Sequence, residues 1–222
     1  MKTTLRTSLA TALTLLAFAV IGATLLSGTH ELTRERIAAS ERAAQLKLLA
    51  QTLPPGSFDN DLVQSARILP ADPRLGLRQG SQAWIASRHG RPVAVVLEVA
   101  APDGYAGEIR MLVGIGSDGS VSGVRVTGHR ETPGLGDYIE RGKSDWIEQF
   151  NGKTLASPPA KAWKVKKDGG AFDAVAGATL TPRAVIKAVR RTLEYFAAER
   201  DNLLDIPPAQ TEVPPPPLQP SP

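Results

Sequence analysis

The chain begins with an unbroken apolar stretch. Residues 7–29 contain no charged side chain and are dominated by Leu, Ala, Val and Ile. As a helix, such a stretch crosses a hydrocarbon core, which takes roughly 20 residues at about 1.5 Å of rise each. Loose helical spacing continues to about Leu53, with Ile37, Leu46, Leu49 and Leu53 on one stripe and charges on other faces, until Pro54-Pro55 stops it. Residues 56–82 show no period, and Pro70, Pro73 and Gly76 mark turns. Strand-like runs follow at 82–87, 92–100 and 108–115. The turn Ser117-Asp118-Gly119-Ser120 then leads into 121–127 and predicts a hairpin. Residues 144–150 predict a short helix with Trp146, Ile147 and Phe150 on one side. From 182 to 204, Ile186, Val189, Leu193, Phe196 and Ala197 recur at helical spacing and predict an amphipathic helix that covers the sheet. The last stretch, 207–222, holds eight prolines and cannot build a core.

These elements predict an α+β fold: an antiparallel sheet with packed helices, preceded by one N-terminal transmembrane helix. The organisation expected is an N-terminus and anchor at 1–29, a juxtamembrane helical stalk at 30–55, a folded domain at 56–205 and a Pro-rich tail at 206–222. Lys2 and Arg6 place the short N-terminal side in the cytoplasm by the positive-inside rule, and the domain then faces the periplasm. A cleavable signal peptide is the competing reading, with Ile21-Gly22-Ala23 as the cut site, but the apolar run exceeds a usual signal core.

Composition narrows the chemistry by exclusion. With 26 basic and 22 acidic residues, a net charge of +4 argues against a nucleic-acid partner. There is no cysteine, so disulfides, cysteine-ligated iron-sulfur clusters and C-x-x-C haem attachment are excluded. His30, His89 and His129 are too scattered for a metal site, and Asp59-Asn60-Asp61 lacks the rest of a calcium loop and reads as an exposed turn. Gly114 to Gly119 spells G-x-G-x-x-G, but a strand rather than a helix follows, so the match is accidental. Lys153, Lys161, Lys164, Lys166 and Lys167 predict a solvated hairpin or edge strand. A docking patch for an acidic redox partner is the alternative.

Two segments carry the chemistry. In Asp173-Ala174-Val175-Ala176-Gly177-Ala178-Thr179, small residues precede a threonine, and Thr181-Pro182 reads as an N-cap with proline at the first helical position. Thr179 then sits just before a helix N-terminus, where free amides and the dipole favour a phosphate. On the residues alone the preferred reading is a small-residue turn between a strand and a helix. The second segment is His129-Arg130-Glu131-Thr132-Pro133-Gly134-Leu135-Gly136, in which Thr132-Pro133-Gly134 makes a turn.

The first segment resembles the D-x-x-(S/T)-G-A-T signature, and the second the H-x-E-T-P-G-L-G loop, of the FMN-binding domains of the RnfG family of the Rnf electron-transport complex. Related FMN-binding domains occur in the sodium-translocating NADH:quinone reductase. The resemblance implies FMN joined covalently through its phosphate to Thr179 by an ApbE-type flavin transferase, with Asp173 as the carboxylate that enzyme recognises. It also implies that Gly177 and Ala178 make room for the phosphate, and that His129, Glu131, Thr132, Gly134, Leu135 and Gly136 accompany the flavin. Gly134 and Gly136 are expected to let backbone amides approach the flat ring. Ala176 departs from the pattern, standing where the family has Ser or Thr. Other membrane subunits of the electron-transport complex and the lipid bilayer are the implied partners. A related FMN-binding domain in a sensor or maturation protein, and a non-redox periplasmic scaffold, are the alternatives.

Overall fold

The computed structural model of the protein describes residues 2–175 and 177–204. Helix α1 spans Lys2–Ala50. The chain divides into two units, Met1–Gln45 and Leu46–Pro222. Within the first unit, Ala10–Ser27 has a mean hydropathy of 2.0 and is exposed along its whole length, long and apolar enough to cross a membrane. Leu13, Leu16, Phe18 and Leu25 of this stretch are all exposed. The Pro-rich tail lies outside the described residues.

The second unit is built on a five-stranded antiparallel meander: β1 (Ala66–Leu69), β2 (Ser81–Arg88), β3 (Arg91–Gly104), β4 (Gly107–Gly116) and β5 (Val121–Gly128), in that spatial order. The predicted runs at 82–87, 92–100, 108–115 and 121–127 fall inside β2 to β5. Strand β1 has no counterpart among the predicted runs. It is short, its Ile68 faces solvent and only Leu69 is buried, so it has no period to betray it. At the hairpin before β5, Asp118 Oδ1 accepts the amide and hydroxyl of Ser120, at 3.0 and 2.7 Å, and Gly119 supplies φ +84°.

Both faces of the sheet are covered, and period-2 alternation sorts the side chains between them. One face presents Ala83 and Ile85 of β2, Val95, Leu97 and Val99 of β3, and Met111, Val113 and Ile115 of β4. Against it packs α2 (Leu180–Leu204), through Ile186, Val189, Leu193 and Phe196. Ala197, expected on that face, is exposed, and Leu203 is buried further along. The 3-10 helix Asp145–Phe150, capped by Ser144 Oγ accepting the Trp146 amide at 3.1 Å, adds Trp146, Ile147 and Phe150 to the same core. Burying each such large side chain contributes roughly 1.5–3 kcal/mol. The opposite face presents Trp84, Ala86, Ala94, Val96 and Leu112 and is closed by Leu49, Leu53 and Leu62. Leu49 and Leu53 thus fall on the expected stripe, whereas Ile37 and Leu46 are exposed.

Thr52, fully buried, is the closing contact on that second face. Its carbonyl accepts the Ser122 hydroxyl at 2.6 Å, and it lies directly over Gly114 and Gly123. A Cβ on Gly114 would collide with the Thr52 carbonyl oxygen, which is backbone and cannot rotate away. Gly114 is therefore a packing residue of the sheet, with no part in a phosphate loop. We expect Gly114→Ala to destabilise the domain by about 1–3 kcal/mol, as overpacking of a tight contact does. A thermal midpoint equal to wild type would show that the Thr52 segment docks loosely.

Two other expectations are corrected. Lys153 borders the sheet, its carbonyl accepting the Val121 amide at 2.8 Å, but Lys161, Lys164, Lys166 and Lys167 form neither hairpin nor edge strand. They lie on or beside the 3-10 turns Ala160–Ala162 and Lys166–Asp168, because Trp163, Val165 and Phe172 plug the core and leave the lysines to solvent. Asn60 is half-buried rather than part of an exposed turn. Its side-chain amide donates to the Ile85 carbonyl at 2.9 Å and accepts the Ser87 amide at 2.8 Å, extending the sheet beside β2.

Candidate functional site

Helix α2 begins one residue after Thr179, and the Arg183 amide donates to the Thr179 carbonyl at 3.4 Å. The residue that opens the helix is therefore Thr179, and the cap expected at Thr181 shifts back by two positions. Thr181 is buried instead, its hydroxyl donating to Glu131 Oε2 at 2.6 Å. Before the helix, Gly177 turns the chain at φ +85°, a conformation that favours glycine; a Cβ there would meet nothing, so backbone geometry rather than space calls for glycine. The Ala178 carbonyl accepts the Tyr138 hydroxyl at 3.1 Å, which holds the turn against the core. Burial pushes the Tyr138 phenol above its ordinary value, opposed in part by the bond from the Val175 amide. Ala176 lies outside the described residues.

The loop after β5 faces this turn. Glu131 is 4% exposed, yet both carboxylate oxygens are satisfied: Oε2 by Thr181 and Oε1 by the Ala106 amide at 3.0 Å. One side chain thus joins the 104–107 turn, the 131–136 loop and the first turn of α2. Gly136 lies against it, since a Cβ at that position would come within 2.8 Å of Oε2. The Leu135 and Gly136 amides both donate to the Thr132 carbonyl, at 3.1 and 3.0 Å, and the Gly134 amide donates to Asp137 Oδ1 at 2.8 Å. Neither Gly134 nor Gly136 has its own amide free for a flat ligand. Their amides are spent inside the loop, Gly134 serves a turn at φ +77°, and Gly136 makes room for Glu131.

Between these walls opens a cavity of about 290 Å³. The expected residues Glu131, Thr132, Leu135, Gly136, Gly177, Ala178 and Thr179 line it, together with Tyr105, Leu180 and Thr181. Tyr105, Leu135 and Leu180 are each more than half exposed, so the mouth is an apolar rim around a half-buried threonine. Three expected residues lie elsewhere. Gly134 belongs to the turn behind the wall. His129 accepts the Glu131 amide on Nδ1 at 3.0 Å, which leaves Nε2 to donate to Glu140 at 2.7 Å, and it borders a separate groove with Glu108, Arg110 and Arg130. Asp173 points outward, its carboxylate 2.6 Å from Lys166, while its backbone is pinned by Trp146 Nε1 and by Gln149.

Sequence reasoning missed Tyr105, Leu180 and Arg183, and read Thr181 as a cap rather than as part of the wall. Tyr105 had a signal in Gly104-Tyr105-Ala106-Gly107, an aromatic held out on a glycine-flanked turn. Arg183 had none, because a basic residue in a first helical turn is ordinarily solvated.

Comparison with known proteins matches this architecture to a class. Residues 104–194, which contain the cavity, match the FMN-binding domain, and residues 1–52 match the RnfG N-terminal region. The chain is 48% identical over 201 residues to the G-type subunit of the ion-translocating oxidoreductase complex of Pseudomonas aeruginosa, covering 90% of this chain and 94% of the relative. It is 40% identical to the same-named protein of Aliivibrio fischeri, covering 93% and 97%, and 43% identical to that of Vibrio cholerae, covering 86% and 91%. The chain belongs to the RnfG family of the ion-translocating oxidoreductase, or Rnf, complex.

Proposed function

We propose that this protein is a membrane-anchored flavoprotein subunit of an ion-translocating oxidoreductase, and that it relays electrons through FMN joined to Thr179 by a phosphodiester. The observation that carries the reading is the place of the Thr179 hydroxyl. It stands on the wall of the cavity, at the residue that opens α2, with the 131–136 loop among the facing walls. The residues present suit the cofactor. A hydroxyl and a helix start accept the phosphate, and the exposed apolar faces of Tyr105, Leu135 and Leu180 accept a flat ring. Bound FMN supplies the electron chemistry, and the protein supplies attachment and surroundings. A link through the phosphate leaves the ring itself unmodified, so Thr179 prevents loss while the cavity residues set the potential.

Attachment needs outside help. A threonine hydroxyl must be deprotonated to attack, and among the described residues its one side-chain partner is Arg183, a donor that cannot act as base. This supports an ApbE-type flavin transferase as partner, and the outward carboxylate of Asp173 is accessible for its recognition. The remaining subunits of the complex are the redox partners.

The anchor is the apolar part of α1, retained in the inner membrane with Lys2 and Arg6 cytoplasmic. Residues 30–55 then form the stalk, 56–205 the periplasmic domain and 206–222 a Pro-rich tail. A chain lacking residues 1–29 and kept in the cytoplasm should fold and stay colourless when the cell's transferase is periplasmic. Export of the same domain behind a cleavable signal should restore covalent flavin. Efficient labelling of the cytoplasmic form, or protection of the domain from protease in spheroplasts, would overturn the topology.

A further inference from the structure

The first turn of α2 carries a cation, Arg183, beside the Thr179 hydroxyl. Arg183 reaches back toward Thr179, with Nη1 3.5 Å from the hydroxyl oxygen. Its Nε and Nη2 meet the two carboxylate oxygens of Asp168 at 2.7 and 2.8 Å. A guanidinium is planar, with its donors in a fixed fork, so engaging one edge decides where the remaining nitrogen points. Here that direction is the Thr179 hydroxyl. Asp168 is itself placed by a tight turn: its amide donates to the Val165 carbonyl at 2.9 Å, Gly169 follows at φ +77°, and the buried Val165 pairs with the buried Phe172. The bond from Arg183 holds the Asp168 carboxyl below its ordinary value, with Lys167 and Lys164 adding to the effect.

This helix start is also short of amide donors. Pro182, its third residue, has no N–H, so one of the four amides that a helix start leaves free is missing. An anion held at Thr179 meets fewer backbone donors than a helix N-terminus ordinarily offers, and a side-chain cation makes up the difference.

We propose that Arg183 is the residue that recognises the phosphate of the flavin cofactor, and that Asp168 is the positioning residue that aims it. The proposal rests on the assignment of a phosphate-linked flavin to the Thr179 cavity. A phosphodiester or phosphomonoester presents charged oxygens beside the Thr179 oxygen, within reach of the free edge of the guanidinium. The site therefore selects a flavin that carries phosphate over one that lacks it, before any covalent bond forms.

The test is the ratio of two affinities. The full chain, produced without a flavin transferase and purified in detergent, is titrated with FMN and with riboflavin, following flavin fluorescence. Wild type should bind FMN about tenfold or more tightly than riboflavin, as a charge-assisted hydrogen bond provides. Arg183→Gln should bring the two affinities together by weakening FMN alone. Arg183→Lys should keep part of the preference, since charge remains but the fork does not. Asp168→Asn should lose part of it with riboflavin unmoved, a pattern that mere loosening of the fold would not give. The proposal is overturned if wild type binds FMN no better than riboflavin, or binds neither, or if Arg183→Gln keeps the full preference. The covalent assignment fails by a different sign: denaturation-resistant flavin on Thr179→Ala co-produced with the transferase, whatever the affinity ratio.

Discussion

A Thr179→Ala chain, isolated from a membrane that contains its transferase, is expected to carry no flavin that survives denaturation, against full labelling of wild type. Two other threonine hydroxyls of the cavity wall, Thr132 and Thr181, make the comparison specific. Thr181 is 1% exposed and its hydroxyl is committed to Glu131, so it is neither accessible nor free to take a phosphoryl group. Thr181→Ala leaves a buried carboxylate short of a donor, which costs about 1–3 kcal/mol of stability, but it should still label. Thr132→Ala should label too, and Thr179→Ser should keep the flavin because the hydroxyl remains. Intact mass and in-gel fluorescence after denaturation read all four variants. Equal fluorescence in wild type and Thr179→Ala would sink the assignment.

Much of this arrangement could be read from the chain, and the failures have physical causes. Strands β2 to β5 announce themselves because each is long and β-branched or apolar on at least one face. Strand β1 and the half-buried Asn60 do not, because their hydrogen bonds to β2 are made by backbone and by one amide side chain, which leave no periodic trace. The segment from Asn151 to Phe172 misled for a related reason. Its lysines dominate the composition, but Trp163, Val165 and Phe172 decide its path by entering the core. In the site itself, the small-residue turn and Thr179 are visible as a motif. The division of labour behind them is not, because it depends on contacts across 25 and 50 residues of chain, from Glu131 to Ala106 and to Thr181. Arg183 is invisible for the same reason: only the fold brings Asp168 to its other edge.

Glu131 offers the second large effect, and it separates holding the cavity together from touching the cofactor. Its two oxygens accept one bond each from different elements, at 3.0 Å from the Ala106 amide and at 2.6 Å from the Thr181 hydroxyl, in a place that is nearly closed to water. Glu131→Ala removes both acceptors at once and leaves two donors and a void where the carboxylate was. An unsatisfied buried donor costs about 1–3 kcal/mol, so the pair should cost roughly 2–5 kcal/mol and lower the thermal midpoint by about 5–15 °C for a domain of this size. Labelling at Thr179 should fall with it, because the α2 start loses the anchor that sets it against the 131–136 loop. Glu131→Gln keeps the shape and one acceptor, and the Thr181 hydroxyl can turn to accept from the new amide, so most of the stability and labelling should remain. Gly136→Ala approaches the same fault from the other side, pressing a methyl to within 2.8 Å of Oε2, and should behave like a milder Glu131→Ala. Differential scanning calorimetry and labelling stoichiometry on the three variants decide the matter. A Glu131→Ala chain with the midpoint and labelling of wild type would show that the carboxylate is a bystander and that other contacts close the cavity.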